Sequence, residues 1–233
     1  MKFLYFSSII VALSILYISA SVNTITLADA QNVINSTEID SLLETAYTLF
    51  NQKKYHEAIK YYDKILAINA SEINALNHKG LALWRLHKYN EALPYFDQIL
   101  AINPSNVKAL NNKGLALLGL QKNDEAIKYF DQALSINTSN VYAINNKAEA
   151  LAEMGKNEEA ISVIEKTARD NPNDEYLQST MAFILGNMGK DDSARVYYEK
   201  ALRINSNLTE ILYEKELDVF NRIMGNKTLP QQQ

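Results

Sequence analysis

The chain has 233 residues, 47% of them hydrophobic, which suits one domain or one repeat array and excludes wholesale disorder. A net charge of −4 leaves no basic footprint for nucleic acid or for an anionic membrane surface. Without cysteine there is no disulfide framework, thiolate metal site or cysteine nucleophile, and only 7 Gly and 4 Pro favour helix over strand.

Residues 1–30 read as a leader. Lys2 precedes an apolar run from Phe3 to Ile18, and no further charge occurs before Asp29. Ala28-Asp29-Ala30 supplies small residues at the spacing a signal peptidase accepts, making Gln31 a mature N-terminus; Ser19-Ala20-Ser21 is a second candidate. Extended to Val22, the run nears the ~20 residues that span a bilayer. Cleavage is the preferred reading and an uncleaved anchor is its alternative, with membrane contact then confined to residues 3–22. Lys2 on the near side leaves the remainder outside, so either reading predicts an exported protein, secreted or held at the cell surface. Residues 31–38 are polar and read as a linker.

From residue 39 the chain repeats with a period of 34. Ala58, Ala92, Ala126, Ala160 and Ala194 hold one phase, and Leu49, Leu83, Leu117, Leu151 and Leu185 another. Tyr62, Phe96, Phe130, Ile164 and Tyr198 mark a third, a run of asparagines from Asn69 to Asn205 a fourth, and a run of lysines from Lys54 to Lys190 a fifth. Five copies follow without insertion: 39–72, 73–106, 107–140, 141–174 and 175–208. In the second copy, Leu76, Gly80 and Leu83 form one helical stripe and Ala92, Phe96, Ile99 and Leu100 a second, with a short turn between them. Ten helices of roughly 12–15 residues are expected. Residues 209–225 read as a capping helix, apolar at Leu212, Val219 and Ile223 but carrying Glu216 where the repeats have Gly or Ala; 226–233 should fray.

Gly114, Leu117, Ala126, Phe130 and Ala133, with Pro104 and Pro172 closing other copies, resemble the tetratricopeptide repeat family. The resemblance covers residues 39–208 and implies an all-α, right-handed superhelical solenoid of helix-turn-helix repeats with a C-terminal capping helix. Two places depart from the family. Its tryptophan place holds Leu42, Leu76, Leu110, Ile144 and Gln178, and its leucine place holds Lys79, Lys113 and Lys147. Such lysines are expected to lay their methylenes along the repeat contact and keep the amine in water.

Catalytic constellations are not found in the sequence. His56, His78 and His87 share no ligand spacing, and Gly189-Lys190 is a repeat turn rather than a phosphate loop. No enzyme activity, cofactor or metal is expected. The sequons at Asn35, Asn69, Asn137, Asn207 and Asn226 are candidate glycosylation sites, against the plainer reading that Asn, Ser and Thr cap helices and shape turns.

The resemblance implies that the flanks of the first helices line a concave groove for a peptide or partner helix. The candidates are Asn77, Leu81, Trp84, Lys108, Asn111, Asn112, Leu115 and Leu118, with Leu81, Trp84, Leu115 and Leu118 as an apolar floor and the asparagines as a polar border. Leu43, Tyr47 and Phe50, and Ser179 and Phe183, hold the equivalent flank elsewhere. The competing reading is that these residues pack between repeats or under the C-terminal helix. The functional expectation is a non-enzymatic protein-binding scaffold or assembly factor outside the cytoplasmic membrane. The alternatives are a permanent structural subunit of an envelope complex and, behind it, an enzyme with an unrecognised site.

Overall fold

A computed structural model describes residues 26–210, 212 and 214–225, so the apolar run, the Ser19-Ala20-Ser21 site, Asn226 and the tail lie outside the described residues. Among the described residues the regular structure is entirely helical. Helices α1 (Leu27–Asn51) and α2 (Tyr55–Ile68), α3 (Ile73–Arg85) and α4 (Tyr89–Ile102), and α5 (Val107–Gly119) and α6 (Asn123–Ile136) make the first three hairpins. Next come α7 (Val141–Glu153) with α8 (Asn157–Asp170), and α9 (Glu175–Asn187) with α10 (Asp191–Ile204). A 3-10 turn at Leu208–Glu210 and α11 (Glu214–Met224) close the chain. The helices fall into two units, one up to Gln98 and one from Ile99 onward, with the division inside α4.

The alanine and aromatic phases are the core. Ala58, Tyr62, Ala92 and Phe96 in the first unit, and Ala126, Phe130, Ala160, Ile164, Ala194 and Tyr198 in the second, are all 0% exposed. A hairpin cannot bury its apolar stripe alone, so within each unit neighbouring helices cover one another's stripes. The small residue of the first helix is a matter of clearance. A Cβ at Gly80 would stand 2.7 Å from the Phe96 ring, and one at Gly114 would stand 2.4 Å from Phe130. Both distances are far inside van der Waals contact, so the ring of the second helix occupies the space of that absent methyl.

Each hairpin turns on one residue in the left-handed region: Lys53 (φ 60°), His87 (58°), Gln121 (60°), Gly155 (76°) and Gly189 (72°). The following lysine then sends its backbone N–H to the leucine carbonyl of the preceding helix at 2.9 Å, from Lys54 to Leu49 and onward to Lys190 and Leu185. This is the closure that satisfies a helix C-terminus. The asparagine phase makes the joints between copies. Asn69, Asn103 and Asn137 each accept, through Oδ1, the backbone N–H two residues on, at 3.0–3.1 Å. The last residue of a copy then caps the next helix, as Asn106 does on Ala109 (3.0 Å) and Asn140 on Ala143 (2.9 Å).

The expected helix lengths hold: α3, α5, α7 and α9 have 13 residues each and α2, α6, α8 and α10 have 14. Three expectations are corrected. Residues 31–38 are no linker but the interior of α1, a helix of 25 residues that starts on a capping box. Thr26 accepts from Asp29 N–H at 3.2 Å while its own N–H reaches the Asp29 carboxylate at 2.9 Å, and this pair nucleates helix through the polar stretch. The capping helix starts at Glu214, after the 3-10 turn, rather than at residue 209. The lysines at the leucine place do not leave their amines to water. Lys147 pairs with Asp131 at 2.6 Å, Lys79 pairs with Asp63 and lies 4.4 Å over the Tyr95 ring, and Lys113 lies 4.3 Å over Tyr129. Aspartates and tyrosines of the second helices hold these charges, Lys79 taking its aspartate from α2 and its tyrosine from α4.

Candidate partner-binding face

In the first unit, α1 and α3 put Leu43, Tyr47 and Phe50, and Asn77, Leu81 and Trp84, on one flank, and all six side chains are half-buried. His78 stands among them, its ring centre 4.6 Å from that of Tyr47 and 5.8 Å from that of Phe50 in edge-to-face arrangements, with Nδ1 3.0 Å from the Asn74 carbonyl oxygen. The Arg85 guanidinium lies 5.0 Å from the Trp84 ring. This is an aromatic surface with a cationic edge, partly open to solvent.

In the second unit the predicted residues separate. Lys108 is exposed, and Asn112 and Leu115 are half-buried. Leu118 is 5% exposed and belongs to the core rather than to an open floor. Asn111, expected on a polar border, is 8% exposed and accepts a hydrogen bond from Asn146 Nδ2 at 3.0 Å. Its acceptor is therefore committed within the fold.

The same two phases continue into α7 and α9. The phase of Leu81 and Leu115 runs on to Glu149 and Phe183, and that of Trp84 and Leu118 to Ala152 and Gly186. All four are buried, and α11 packs in this region. A Cβ at Gly186 would meet Val219 Cγ1 at 2.5 Å and Ile223 Cδ1 at 2.6 Å, so α11 fills the notch that glycine leaves. Phe220 crosses Tyr198 edge-on at 5.0 Å. Polar anchors flank the apolar contact. Lys215 pairs with Glu153 at 3.1 Å, and Arg222 bonds both Asp191 oxygens at 2.8 and 2.9 Å and the Gly186 carbonyl at 2.7 Å. For Ser179 and Phe183, both buried, the competing expectation of packing is therefore the observed one, with Phe183 sharing a hydrophobic cluster with Phe220 and Ile223 of α11.

Two carboxyls lie within this contact. Glu149 is 2% exposed and Glu216 is 4% exposed, and Glu149 Oε1 has no hydrogen-bond partner. Burial holds the Glu149 carboxyl well above the ordinary glutamate range, and the charges of Glu216 and then Glu153 push it further. A cleft of about 420 Å³ remains along the α11 contact, lined by Ala152, Glu153, Phe183, Asn187, Lys215 and Val219 among others, with neither of those two carboxyls in its wall.

The remaining candidates are placed as follows. Asn69, Asn137 and Asn207 are exposed at the joints, whereas Asn35 is half-buried inside α1 and accepts from Gln31 Nε2 at 2.8 Å. Ala28-Asp29-Ala30 forms the first turn of α1. His56 and His87 are exposed, with His87 Nδ1 2.7 Å from the Tyr89 hydroxyl. Among the described residues no helix is long and apolar enough to cross a membrane.

Family models described as tetratricopeptide repeat match residues 78–141, 117–183 and 178–208. The array belongs to the tetratricopeptide repeat family. A model for subunit 3 of the anaphase-promoting complex, or cyclosome, matches residues 23–99. No curated protein matches the chain. Among solved structures, a thermophilic tetratricopeptide repeat protein of Thermus thermophilus is 18% identical, with a TM-score of 0.67 over 80% of this chain and 97% of that one. MamA of Desulfovibrio magneticus is 17% identical, with a TM-score of 0.59 over 73% of this chain and 96% of that one. At such identities the likeness is one of fold: an all-helical tetratricopeptide repeat solenoid. Proteins built from these repeats are in general non-catalytic modules that bind other proteins.

Proposed function

We propose that the chain is an exported, non-enzymatic scaffold or assembly factor whose first-helix flank receives a peptide or helix from a protein partner. One observation carries this reading. Tyr47, Phe50, Leu81 and Trp84 share the flank of the first unit and stay partly open to solvent, while the alanine and aromatic phases of the second helices are sealed at 0%. Large aromatic side chains held on rigid helices and only half covered are the anchors from which protein interfaces draw their energy. The spacing of Lys2, the apolar run and the small-residue triplet supports export.

A photo-crosslinking amino acid at Trp84 in the native host should capture a discrete protein, and Leu81→Asp should abolish that capture while leaving the thermal melt unchanged. Capture unaffected by Leu81→Asp would overturn the flank as the binding surface. Export is read from the intact mass and fraction of the protein in its own cell. A species beginning at Gln31 supports cleavage, full-length protein in membranes supports the anchor, and recovery only from soluble cytoplasm removes both.

A further inference from the structure

The α11 contact has the chemistry of a ligand seated on a receptor. Its 11 residues are too few to hold helix in water unaided, since isolated helices below ~12–15 residues are marginal, so its order depends on docking. Its apolar side chains enter a cluster built by α7, α8, α9 and α10, with Val219 and Ile223 in the Gly186 notch. Lys215 and Arg222 meet acidic partners on the repeats, Glu153 and Asp191. The fit is nonetheless imperfect. Glu216 is buried where it repels Glu149, the Glu149 carboxyl has an unpartnered oxygen, and a cleft of about 420 Å³ stays open along one side. A buried carboxyl without full hydrogen bonding opposes the contact that buries it.

We propose that α11 is an exchangeable occupant of the first-helix face of the fourth and fifth repeats, and that this face accepts in its place an amphipathic helix from a partner protein. The chemistry of that helix follows from what α11 satisfies and what it does not. A cation opens the motif at the place of Lys215, apolar residues follow at four, five and eight positions on, and an arginine stands seven on. At the place of Glu216 the incoming helix carries an uncharged side chain, which relieves Glu149 and lets the partner outcompete the resident segment. The inference rests on the reading of the array as a protein-binding scaffold, but it concerns residues 141–224 and none of those around Trp84.

The test uses the full chain and a labelled, end-blocked peptide of residues 214–224 in two forms, native and with Glu216→Gln. In the chain carrying Ile223→Asp, whose own α11 is loosened, the Gln peptide should bind at least tenfold tighter by fluorescence anisotropy than in the unaltered chain. The native peptide should bind several-fold more weakly than the Gln form, and adding Gly186→Leu should remove binding of both. Equal binding to altered and unaltered chains, no gain from Gln, or no binding to an Ile223→Asp chain that still melts cooperatively each overturns the proposal. Hydrogen exchange on the unaltered chain is independent of any variant's folding. Residues 214–224 should exchange through local opening, faster than α9 and α10, and exchange at the rate of those helices overturns the proposal as well. A concentration-dependent dimer formed by swapping α11 between copies would overturn the assignment of a foreign helix. Failure in any of these arms leaves crosslinking at Trp84 untouched.

Discussion

On α3 the flank phase reads Leu81 and Trp84, both partly exposed; on α9 the same phase reads Phe183 and Gly186, both buried at the α11 contact. The backbone frame is the same, a 13-residue first helix closed by a left-handed turn. What differs is side-chain size at one place in the repeat, which falls from Trp84 through Leu118 and Ala152 to Gly186. The Trp84 ring fills this place on α3 and is only partly covered. A glycine lets a helix come to within van der Waals contact, and the surface is used up by the chain itself. The difference teaches that, in a repeat array, use is set by the places that vary, while the invariant phases only maintain the frame.

The largest effect is expected in the frame and not in the flank. Phe130 is 0% exposed against Gly114, so Phe130→Ala should lower unfolding free energy by about 3–5 kcal/mol, read by urea denaturation. A much smaller loss would mean that the phases do not hold the array. Trp84→Ala should behave differently, weakening partner binding by about 2 kcal/mol or more while costing folding less than the Phe130 change. Unchanged affinity beside a large fall in stability would return Trp84 to packing.

On the fifth-repeat side the contact should depend on pH. Since burial and the neighbouring carboxylates raise Glu149, docked α11 retains a proton that the open state releases above the ordinary value of 4.5. Docking is therefore strongest below that value and weakens as pH climbs through the raised one. The charged groups involved are Glu216 and Lys215 from α11 and Glu153 on the helix of Glu149 itself. Glu149→Gln should flatten the dependence, by up to about 1.4 kcal/mol per pH unit, and tighten docking at neutral pH, measured by hydrogen exchange of residues 214–224. Steeper dependence in the variant would refute the assignment. The smallest effect lies in the turns. Gln121 holds φ 60° where later copies use glycine, so Gln121→Gly should stabilise by roughly 0.5–1 kcal/mol. Gly155→Ala should cost a similar amount, for backbone reasons alone, because no atom lies within 4 Å of the added methyl.

The frame was legible because it is written five times. Ala, Leu and aromatic phases recurring every 34 residues specify which faces are sealed, and the structure buries all of them except Leu49 of the first copy, which is half-buried. The flank was legible only in part, because its fate depends on what lies opposite. Leu115 and Leu118 are chemically alike and three residues apart, yet one is half-buried and the other 5% exposed. Nothing in Glu149 itself announces burial, since a glutamate on a helix ordinarily faces water. Two signals were present and passed over: the declining series from Trp84 to Gly186, and the Thr26-x-x-Asp29 pair that starts α1. The asparagine and serine content of residues 31–38 suggested coil, but a capped helix already under way outweighs weak propensity.

That capped start has a geometric consequence. The first copy begins near Ile39, so residues 27–38 prolong α1 by about 18 Å at 1.5 Å per residue. Whatever precedes Thr26 is thus joined to the aromatic flank by a strut and not by a coil. A flexible segment of that length would spread the repeats over a cloud of positions with a root-mean-square reach of about 20 Å. The strut replaces that cloud with one distance between Thr26 and the repeats. For a chain held close to Thr26, the local concentration of Trp84 would be high on a thin shell around the point of attachment. Under the scaffold reading proposed above, a partner would then be selected by its distance from that point as well as by what it carries.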